Sequence, residues 1–280
     1  MTVEEPPRIV GIAGDWHGNT AWAKRILTGF HEAGIKRVYH VGDFGIWPGD
    51  EGRNFVDEVH FALQQREMEM YIILGNHEDY SQVRGLKKTP SGWFNFSGYP
   101  LLNFAPRGHV WKEGNVRLAA MGGAGSIDRN LRTANVDWWA DEEITDENIT
   151  TLIANVQDLS WERVDVLLSH DSPAGPKREG ITSNPSWITP DVENYCWVQR
   201  VRLRRAVDTI APYSIVHGHW HEWIRDSIEG VTVKGEPYTT QIVGLACDEM
   251  AHNAIIATLT PNVGISDMRV LTLEKIPPRR

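Results

Sequence analysis

The sequence has little cysteine and no long apolar run, and both absences narrow the classes of protein it can belong to. Two cysteines among 280 residues are too few for a disulfide framework or a cysteine-rich zinc site, so we expect Cys196 and Cys247 to be reduced thiols. No apolar run approaches the length of a transmembrane helix. The segment Met1–Pro7 lacks the basic and apolar regions of a signal peptide. These absences predict a cytoplasmic protein that does not associate with membranes.

Runs of basic residues are also missing. The formal net charge of -9 argues against tight, non-specific binding to duplex nucleic acid, although local cations can hold a phosphate group in an acidic protein. Nucleic acid is therefore a partner that the charge does not indicate. Hydrophobic residues make up 41% of the chain, enough for a sizeable core. The chain has no repeat, low-complexity tract or clear linker, so we predict one domain over residues 1–280.

The order of apolar runs and helical patterns predicts an α/β fold. Strands at 8–13, 37–41 and 70–74 alternate with helices at 20–33 and 54–66, and this βαβαβ pattern indicates parallel strands. The remaining predicted elements are a long ordered loop or short-strand excursion at 85–106, a hairpin at 110–121, helices at 145–158 and 194–209, strands at 164–168 and 214–217, a loop at 171–190, and short β-runs over 223–273. Parallel units thus come first and antiparallel strands last.

Five short polar motifs each follow one of the predicted strands. They are Gly14-Asp15-Trp16-His17, Gly42-Asp43, Gly75-Asn76-His77-Glu78, Ser169-His170-Asp171 and His217-Gly218-His219-Trp220-His221. Each motif lies where a strand ends, and open α/β sheets bind their ligands at the carboxyl ends of strands. We therefore predict that the five motifs gather into one polar site.

The residue types in these motifs indicate metal binding. Asp15 and His17 are two apart, and in extended backbone such residues point to the same side, so both can reach one metal; His219 and His221 have the same spacing. Asp43 has two carboxylate oxygens and can bridge two ions. Mixed Asp, His and Asn ligands suit Mn, Fe, Zn, Ni or Co rather than a calcium site, which uses oxygen ligands only.

The ordered set of motifs resembles the signature of the calcineurin-like metallophosphoesterase superfamily. The resemblance runs from Asp15 to His221 and rests on Asp15-x-His17, Gly42-Asp43, Gly75-Asn76-His77-Glu78, His170 and Gly218-His219-x-His221. It implies an α/β fold in which two sheets are flanked by helices (an αββα sandwich). This agrees with the predicted order of parallel βαβ units and later antiparallel strands.

The resemblance also implies a site with two divalent metal ions. One metal would be bound by Asp15, His17, Asp43 and His221, and the other by Asp43, Asn76, His170 and His219. Manganese is the expected metal, with Fe, Zn, Ni and Co as alternatives. The two ions would lower the pKa of a bridging water, and the resulting hydroxide would attack phosphorus. His77 would contact the substrate and protonate the leaving oxygen, with Asp43 or a neighbouring carboxylate holding its tautomer.

Other residues near the motifs receive weaker roles. His217, Glu78 and Asp171 flank the predicted ligands, and we expect them to hold ligands in place or to pack. Three tryptophans beside the motifs are candidates for stacking on an aromatic substrate group, but packing is the favoured interpretation: Trp16, Trp220 and Trp223. The run Gly122–Ser126 resembles a phosphate-binding loop without its Lys-Ser/Thr ending. Arg129, just beyond it, is a candidate phosphate ligand.

One departure from the superfamily narrows the predicted function. Its protein phosphatases follow the bridging Asp with Asp-Arg-Gly, whereas this chain reads Gly42-Asp43-Phe44-Gly45, so Arg53 or Arg84 would have to replace the missing arginine. We therefore expect a phosphomonoesterase or phosphodiesterase that acts on small phosphoesters or nucleotides. A nuclease-like or cyclic-nucleotide phosphodiesterase and a non-catalytic scaffold are the alternatives. The loops at 85–106 and 171–190 would shape substrate choice, and the oligomeric state is left open.

Overall fold

The computed structural model describes residues 7–176 and 188–273. Its strands are β1 (Arg8–Ala13), β2 (Arg37–Val41), β3 (Glu69–Ile73), β4 (Lys87–Lys88), β5 (Phe94–Asn95), β6 (Leu102–Ala105), β7 (Val110–Glu113), β8 (Val116–Met121), β9 (Val166–Ser169), β10 (Ser214–His217), β11 (Ile224–Val231), β12 (Pro237–Gly244), β13 (Ala254–Thr260) and β14 (Gly264–Val270). Its helices are α1 (Thr20–Glu32), α2 (Gly49–Arg66), α3 (Tyr80–Val83), α4 (Asp146–Asp158) and α5 (Pro190–Ile210).

The strands form two mixed sheets. The first has eight strands in the order β14-β13-β1-β2-β3-β6-β5-β4, and the second has six in the order β11-β12-β10-β9-β8-β7. In the first sheet β1, β2, β3 and β6 are parallel, and in the second β8, β9, β10 and β12 are parallel. Because parallel strands end at the same edge of a sheet, each sheet gathers several strand ends on one side.

Alternating side chains of the strands place one sheet against the other and each sheet against helices. On β2, Val38 packs with Phe30 of α1 and Phe55 of α2, whereas the next residue, Tyr39, packs between the sheets with Leu168 of β9. On the far side of the second sheet, apolar residues of α4 and α5 form a third cluster. The layers are therefore helix, sheet, sheet and helix, as predicted.

Local signals explain where the main helices begin. The side chain of Asn19 accepts a hydrogen bond from Trp22 N at the start of α1, and Thr145 and Asn148 form a reciprocal capping box at the start of α4. Such caps satisfy N–H groups that have no partner within the helix. Pro190 opens α5, a position where its missing N–H costs nothing.

The structure corrects several predicted boundaries. The helix predicted from 54 begins at Gly49, and the helix predicted from 194 begins at Pro190, because polar first turns carry little hydrophobic periodicity. The segment 85–106 contains three short strands, which confirms the short-strand alternative. The C-terminal part is less uniformly antiparallel than predicted, since β12 pairs in parallel with β10. Of the loop predicted at 171–190, residues 177–187 lie outside the described residues.

The helices of the described residues bear on the prediction that the protein does not associate with membranes. No helix in the described part of the chain combines the length and apolar character needed to cross a membrane.

Candidate metal centre

Six of the seven predicted metal ligands lie in two groups of donor atoms at the edge where the strand ends meet. The ligand atoms within each group lie within 4.8 Å of one another. The first group contains Asp15, His17, Asp43 and His221, and the second contains Asp43, His170 and His219. Asn76 lies beside the second group, because its Oδ1 is 2.9 Å from Nε2 of His170.

Asp43 belongs to both groups and faces them with different oxygens. Its Oδ1 is 3.2 Å from Nε2 of His170, and its Oδ2 is 3.5 Å from Nε2 of His17. Oδ1 also accepts hydrogen bonds of 2.9 Å from the backbone N–H groups of Asn76 and His77. The carboxylate is therefore held in an orientation in which it can bridge two cations.

Backbone conformation, rather than the extended geometry predicted from spacing, directs the ligands into the site. Five of the seven have left-handed backbone: Asp15, His17, Asp43, His219 and His221, with φ between 46° and 68°. Non-glycine residues adopt this conformation rarely, and it concentrates at functional sites. The extended-strand argument was therefore wrong, and it fails most clearly for His219 and His221, which reach different groups.

Two glycines let the second sheet approach the first. At Gly42, where φ is 101°, a Cβ would overlap the ring of His170. At Gly218, a Cβ would overlap the Asp15 carboxylate. These close approaches allow His219 N to donate to Asp15 Oδ1 at 2.9 Å and His170 Nδ1 to bond Val41 O at 2.7 Å. A proton on His170 Nδ1 leaves Nε2 free to bind a cation.

The donor set fits divalent metal ions. Asp15 Oδ2 and His219 Nε2 are buried and have no hydrogen-bond partner among the described residues, although buried polar atoms usually have one. Burial holds the pKa of His219 well below its usual value, and the charge of His170 adds to the shift. His219 can therefore bind a cation without first losing a proton.

The other histidines of the centre retain protons when no cation is bound. Burial disfavours the charged form of His17, but the hydrogen bond and charge of Asp43 outweigh it and raise the pKa to about 9. The pKa of His170 is also raised to about 9 by Asp43 against burial. The carboxylates of Asp43 and Asp15 thus attract positive charge into the site, in the form of protons or of metal ions.

A buried polar network behind Asn76 was missed by the sequence analysis. The Nδ2 group of Asn76 donates to Ser126 Oγ at 2.9 Å, and Ser126 Oγ donates to Glu142 at 2.6 Å. Arg132 donates to the same Ser126 oxygen at 2.8 Å and lies 3.5 Å from Glu142. The network turns the amide oxygen of Asn76 towards His170. The predicted phosphate-binding run Gly122–Ser126 therefore contributes a residue that orients a ligand.

Asp248 is a second residue that the sequence analysis missed. Its Oδ1 is 3.2 Å from Nδ1 of His17, and its Oδ2 accepts from Asn19 Nδ2 at 2.7 Å. A carboxylate on Nδ1 leaves Nε2 of His17 pointing at Asp43 and raises the basicity of the ring. No pattern around Cys247-Asp248-Glu249 marks this role, because the contact spans 231 positions of the chain.

His77 lies at the edge of the centre, outside both donor groups. Its ring centroid is 6.1 Å from that of His17, and its backbone, not its ring, contacts Asp43. Burial lowers the pKa of His77, Asp43 opposes that shift and Arg132 adds to it. His77 is therefore neutral at pH 7 in the free protein, where it can still donate one N–H hydrogen bond. Asp43 contacts the main chain of His77 and not its ring, so a neighbouring carboxylate, the other predicted partner for the tautomer, stays a prediction.

The flanking residues of the motifs support the backbone around the ligands. Glu78 accepts hydrogen bonds from the N–H groups of Phe44, Gly45 and Ile46, and Asp171 accepts from Trp220 Nε1 at 2.9 Å. His217 contacts the carbonyl of Gly218. These contacts hold the loops that carry Asp43, His170 and His219.

The tryptophans and arginines singled out by sequence have packing and ion-pair partners, and Trp220 packs edge-on against the ring of His219 with centroids 4.7 Å apart. Trp16 and Trp220 are buried in the protein, and Trp223 stacks on His252, in line with packing. Arg129 lies over the rings of Trp138 and Tyr195. Arg53 pairs with Asp50 and Arg84 with Asp141. Arg132, which the sequence analysis did not select, is instead the arginine that shares a cavity with His77.

A family model for calcineurin-like phosphoesterases matches residues 9–223. The chain belongs to the calcineurin-like phosphoesterase family. Solved structures with the same fold include two that cover nearly the whole chain. The protein TT1561 of Thermus thermophilus is 8% identical with a TM-score of 0.55, covering 95% of this chain and 100% of its own. A dimetal phosphatase from Danio rerio is 15% identical with a TM-score of 0.55, covering 96% and 100%. No curated protein matches the sequence.

Metal binding at this centre should release protons at neutral pH. Because the pKa values of His17 and His170 are raised to about 9, these rings are protonated at pH 7 and must lose protons to bind metal. Calorimetric titration with Mn²⁺ in buffers of different ionisation enthalpy should show a release that declines as pH rises through 9. A release that does not change between pH 7 and pH 10 would contradict the raised pKa values.

The same shifts set how the apo protein responds to pH. A pKa raised in the folded state stabilises the protein fully below the unfolded value of 6.5 and loses that effect as pH rises through about 9. With chelator present, the unfolding temperature should therefore fall between pH 6.5 and pH 9, and Glu142, whose pKa burial raises to about 8, should add to the fall. Saturation with metal should remove the part of the decrease that comes from His17 and His170, and an equal decrease with metal bound would contradict the assignment.

Removing the hydroxyl of Ser126 should weaken metal binding. Ser126→Ala leaves Asn76 Nδ2 without its acceptor, and changes behind a ligand typically cost about 10–100-fold in metal affinity. Ser214→Ala is the matched control, because Ser214 is equally buried and, among the described residues, its hydroxyl accepts only from Ile265 N at 3.0 Å. Both variants should lose stability, but calorimetry should find weaker binding in Ser126→Ala alone. Equal affinity in the two variants would remove Ser126 from this role.

Proposed function

We propose that this chain is a hydrolase of phosphomonoesters or phosphodiesters that works with two divalent metal ions, manganese first among them. The observation that carries the proposal is the sharing of Asp43 between two groups of donor atoms. Asp15, His17 and His221 would hold one ion with Asp43, and Asn76, His170 and His219 would hold the other. When bound, the ions would supply Lewis-acid activation of the phosphoryl group and of the attacking water.

His77 gives the proposed site its substrate side. It is partly exposed at the rim of the centre, and a neutral imidazole there can donate a hydrogen bond to a phosphoryl oxygen. The negative charge of a bound phosphate would favour the protonated ring, which could then pass a proton to the leaving oxygen. The presence of His77 at this rim supports catalysis over the scaffold alternative, since a scaffold has no need for a histidine on the substrate side.

The loop after Asp43 supports small phosphoesters over phosphoproteins as substrates. Phe44 fills the place that follows the bridging carboxylate and is fully buried, and the backbone of residues 44–46 is tied to Glu78. Neither Arg53 nor Arg84 lines the cavity that contains His77. Arginine recognises phosphate strongly through its planar fork, so its absence from this loop weakens the case for a protein phosphatase.

Hydrolysis of simple aryl esters tests the proposal. The Mn²⁺-loaded protein should hydrolyse an aryl phosphate, a bis-aryl phosphate or both, and chelation should abolish the activity. Turnover of the diester alone would establish a phosphodiesterase. Absence of turnover with two ions bound would favour the scaffold.

Substitution of His77 tests its assigned role. His77→Ala should lower kcat/KM by about 10²–10⁴-fold while two ions still bind, because His77 lies outside both donor groups. His31→Ala, which removes an exposed histidine from α1, should leave the rate unchanged. Full activity in His77→Ala would refute the role of His77.

A further inference from the structure

A cavity of about 310 Å³ opens beside His77, and none of the predicted metal ligands is among its lining residues. Besides His77, the lining includes Trp47, Trp139, Val136, Asp128 and Arg132. A larger cavity of about 610 Å³ contains neither His77 nor any predicted metal ligand among its lining residues. The smaller cavity is therefore placed to receive the part of a phosphoester that extends past His77.

The aromatic walls of the cavity are held in place. Trp47 Nε1 donates to the carbonyl of His77 at 3.1 Å, and the carbonyl of Trp47 accepts from Gln82 at 2.9 Å. Trp139 is 5% exposed, so the packed protein fixes its ring. Two fixed indoles and the apolar Val136 suit a flat apolar group, since small-molecule sites are typically apolar with a few polar groups that set orientation.

The charge of the cavity disfavours a second phosphate. Arg132 is the single arginine or lysine among its described lining residues. Its guanidinium is already engaged by Ser126, Glu142 and Asp128 and also donates to the carbonyl of Asp137. Its side chain is 9% exposed. A polyphosphate chain or a nucleic-acid backbone would thus meet carboxylates here without an uncommitted arginine or lysine to offset them.

Asp128 offers a polar contact to an occupant. Its Oδ1 is buried and makes no hydrogen bond among the described residues, and its nearest charged partner is Arg132 at 3.6 Å. Although Oδ1 pairs with Arg132, a carboxylate has a second oxygen, and the side chain of Asp128 is 31% exposed, so it can still accept a hydrogen bond from an occupant. The cavity therefore matches a group that is aromatic, uncharged and able to donate a hydrogen bond.

We infer that this cavity is the subsite for a nucleobase-like group of the substrate, so that the enzyme hydrolyses nucleoside phosphoesters carrying a single phosphate. The inference rests on the proposed phosphoesterase function. Trp47 and Trp139 provide the aromatic walls, Asp128 accepts from an amino group of the base, and the metal centre receives the phosphate. The subsite discriminates by the base and not by the leaving oxygen.

The test compares substrates that share the reacting group and differ in the base. Adenosine 5′-monophosphate and ribose 5-phosphate have the same leaving oxygen. Esterifying the phosphate group of each with methanol gives the matching pair of phosphodiesters. With Mn²⁺ bound, the adenosine member of the hydrolysed pair should have a kcat/KM roughly tenfold or more higher, in line with the strength of base stacking on aromatic side chains. Adenosine should also inhibit hydrolysis of the ribose substrate competitively, whereas ribose should not.

A pair of variants locates the effect in the cavity. Val136 lines the cavity and is 64% exposed. Val136→Trp should fill the cavity and bring the ratio of kcat/KM for the adenosine and ribose substrates close to one. Leu131→Trp is the matched control, because Leu131 is 67% exposed in the same segment but does not line the cavity; it should keep the wild-type ratio. Asp128→Ala should lower the ratio and weaken inhibition by adenosine.

The possible outcomes distinguish failure of the nucleobase subsite from failure of the proposed phosphoesterase function. Equal kcat/KM for the adenosine and ribose substrates, with both hydrolysed, would overturn the nucleobase subsite and leave the phosphoesterase function intact. An unchanged ratio in Val136→Trp would likewise overturn the subsite. No hydrolysis of any phosphoester with two ions bound would overturn both.

Discussion

The carboxylate of Asp43 is the group on which the rest of the site depends. It is 1% exposed, and a buried charge is tolerated only when it is paired and hydrogen-bonded. Two backbone N–H groups from the next strand end bind one of its oxygens, and histidines from both sheets lie near the two oxygens. The same contacts that make its burial possible join the two sheets and bring the donor atoms together.

A second polar layer connects the metal centre to the substrate side. Ser126, Glu142 and Arg132 lie between Asn76 and the cavity beside His77. Burial raises the pKa of Glu142 to about 8, against the opposing charge of Arg132, so this group does not add a full negative charge at neutral pH. The orientation of one ligand and the wall of the cavity therefore depend on the same side chains.

The comparison with distant structures separates what the fold provides from what the site provides. At 8% and 15% identity, the shared feature is the arrangement of sheets and helices, and one fold can carry many functions. The fold brings the strand ends of two sheets to one edge. The residues placed at those ends, and the cavity formed by residues 128–139 and Trp47, set the chemistry that this particular chain can perform.

The ligand types and the layered fold were predictable from sequence, because both follow from local patterns. Apolar alternation marks strands such as β2, and each polar motif follows a strand directly, so Asp43 and His170 could be selected without coordinates. Left-handed backbone at Asp15 and His219 was not predictable, since it results from the close approach of the two sheets rather than from neighbouring residues.

Contacts between distant parts of the chain were decided by tertiary structure alone. Ser126 reaches Asn76 across 50 positions and Asp248 reaches His17 across 231. Ser126 stands in a run that resembles a phosphate-binding loop, and Asp248 stands in no motif, so neither contact could be read from the sequence. Arg132 was overlooked in favour of Arg129 because spacing cannot tell which of two nearby arginines turns inward. The sequence by itself determined the family, the donor types and the strand ends, which are local properties. Packing of the two sheets decided which donors meet, what holds them and what shape of substrate can lie beside them.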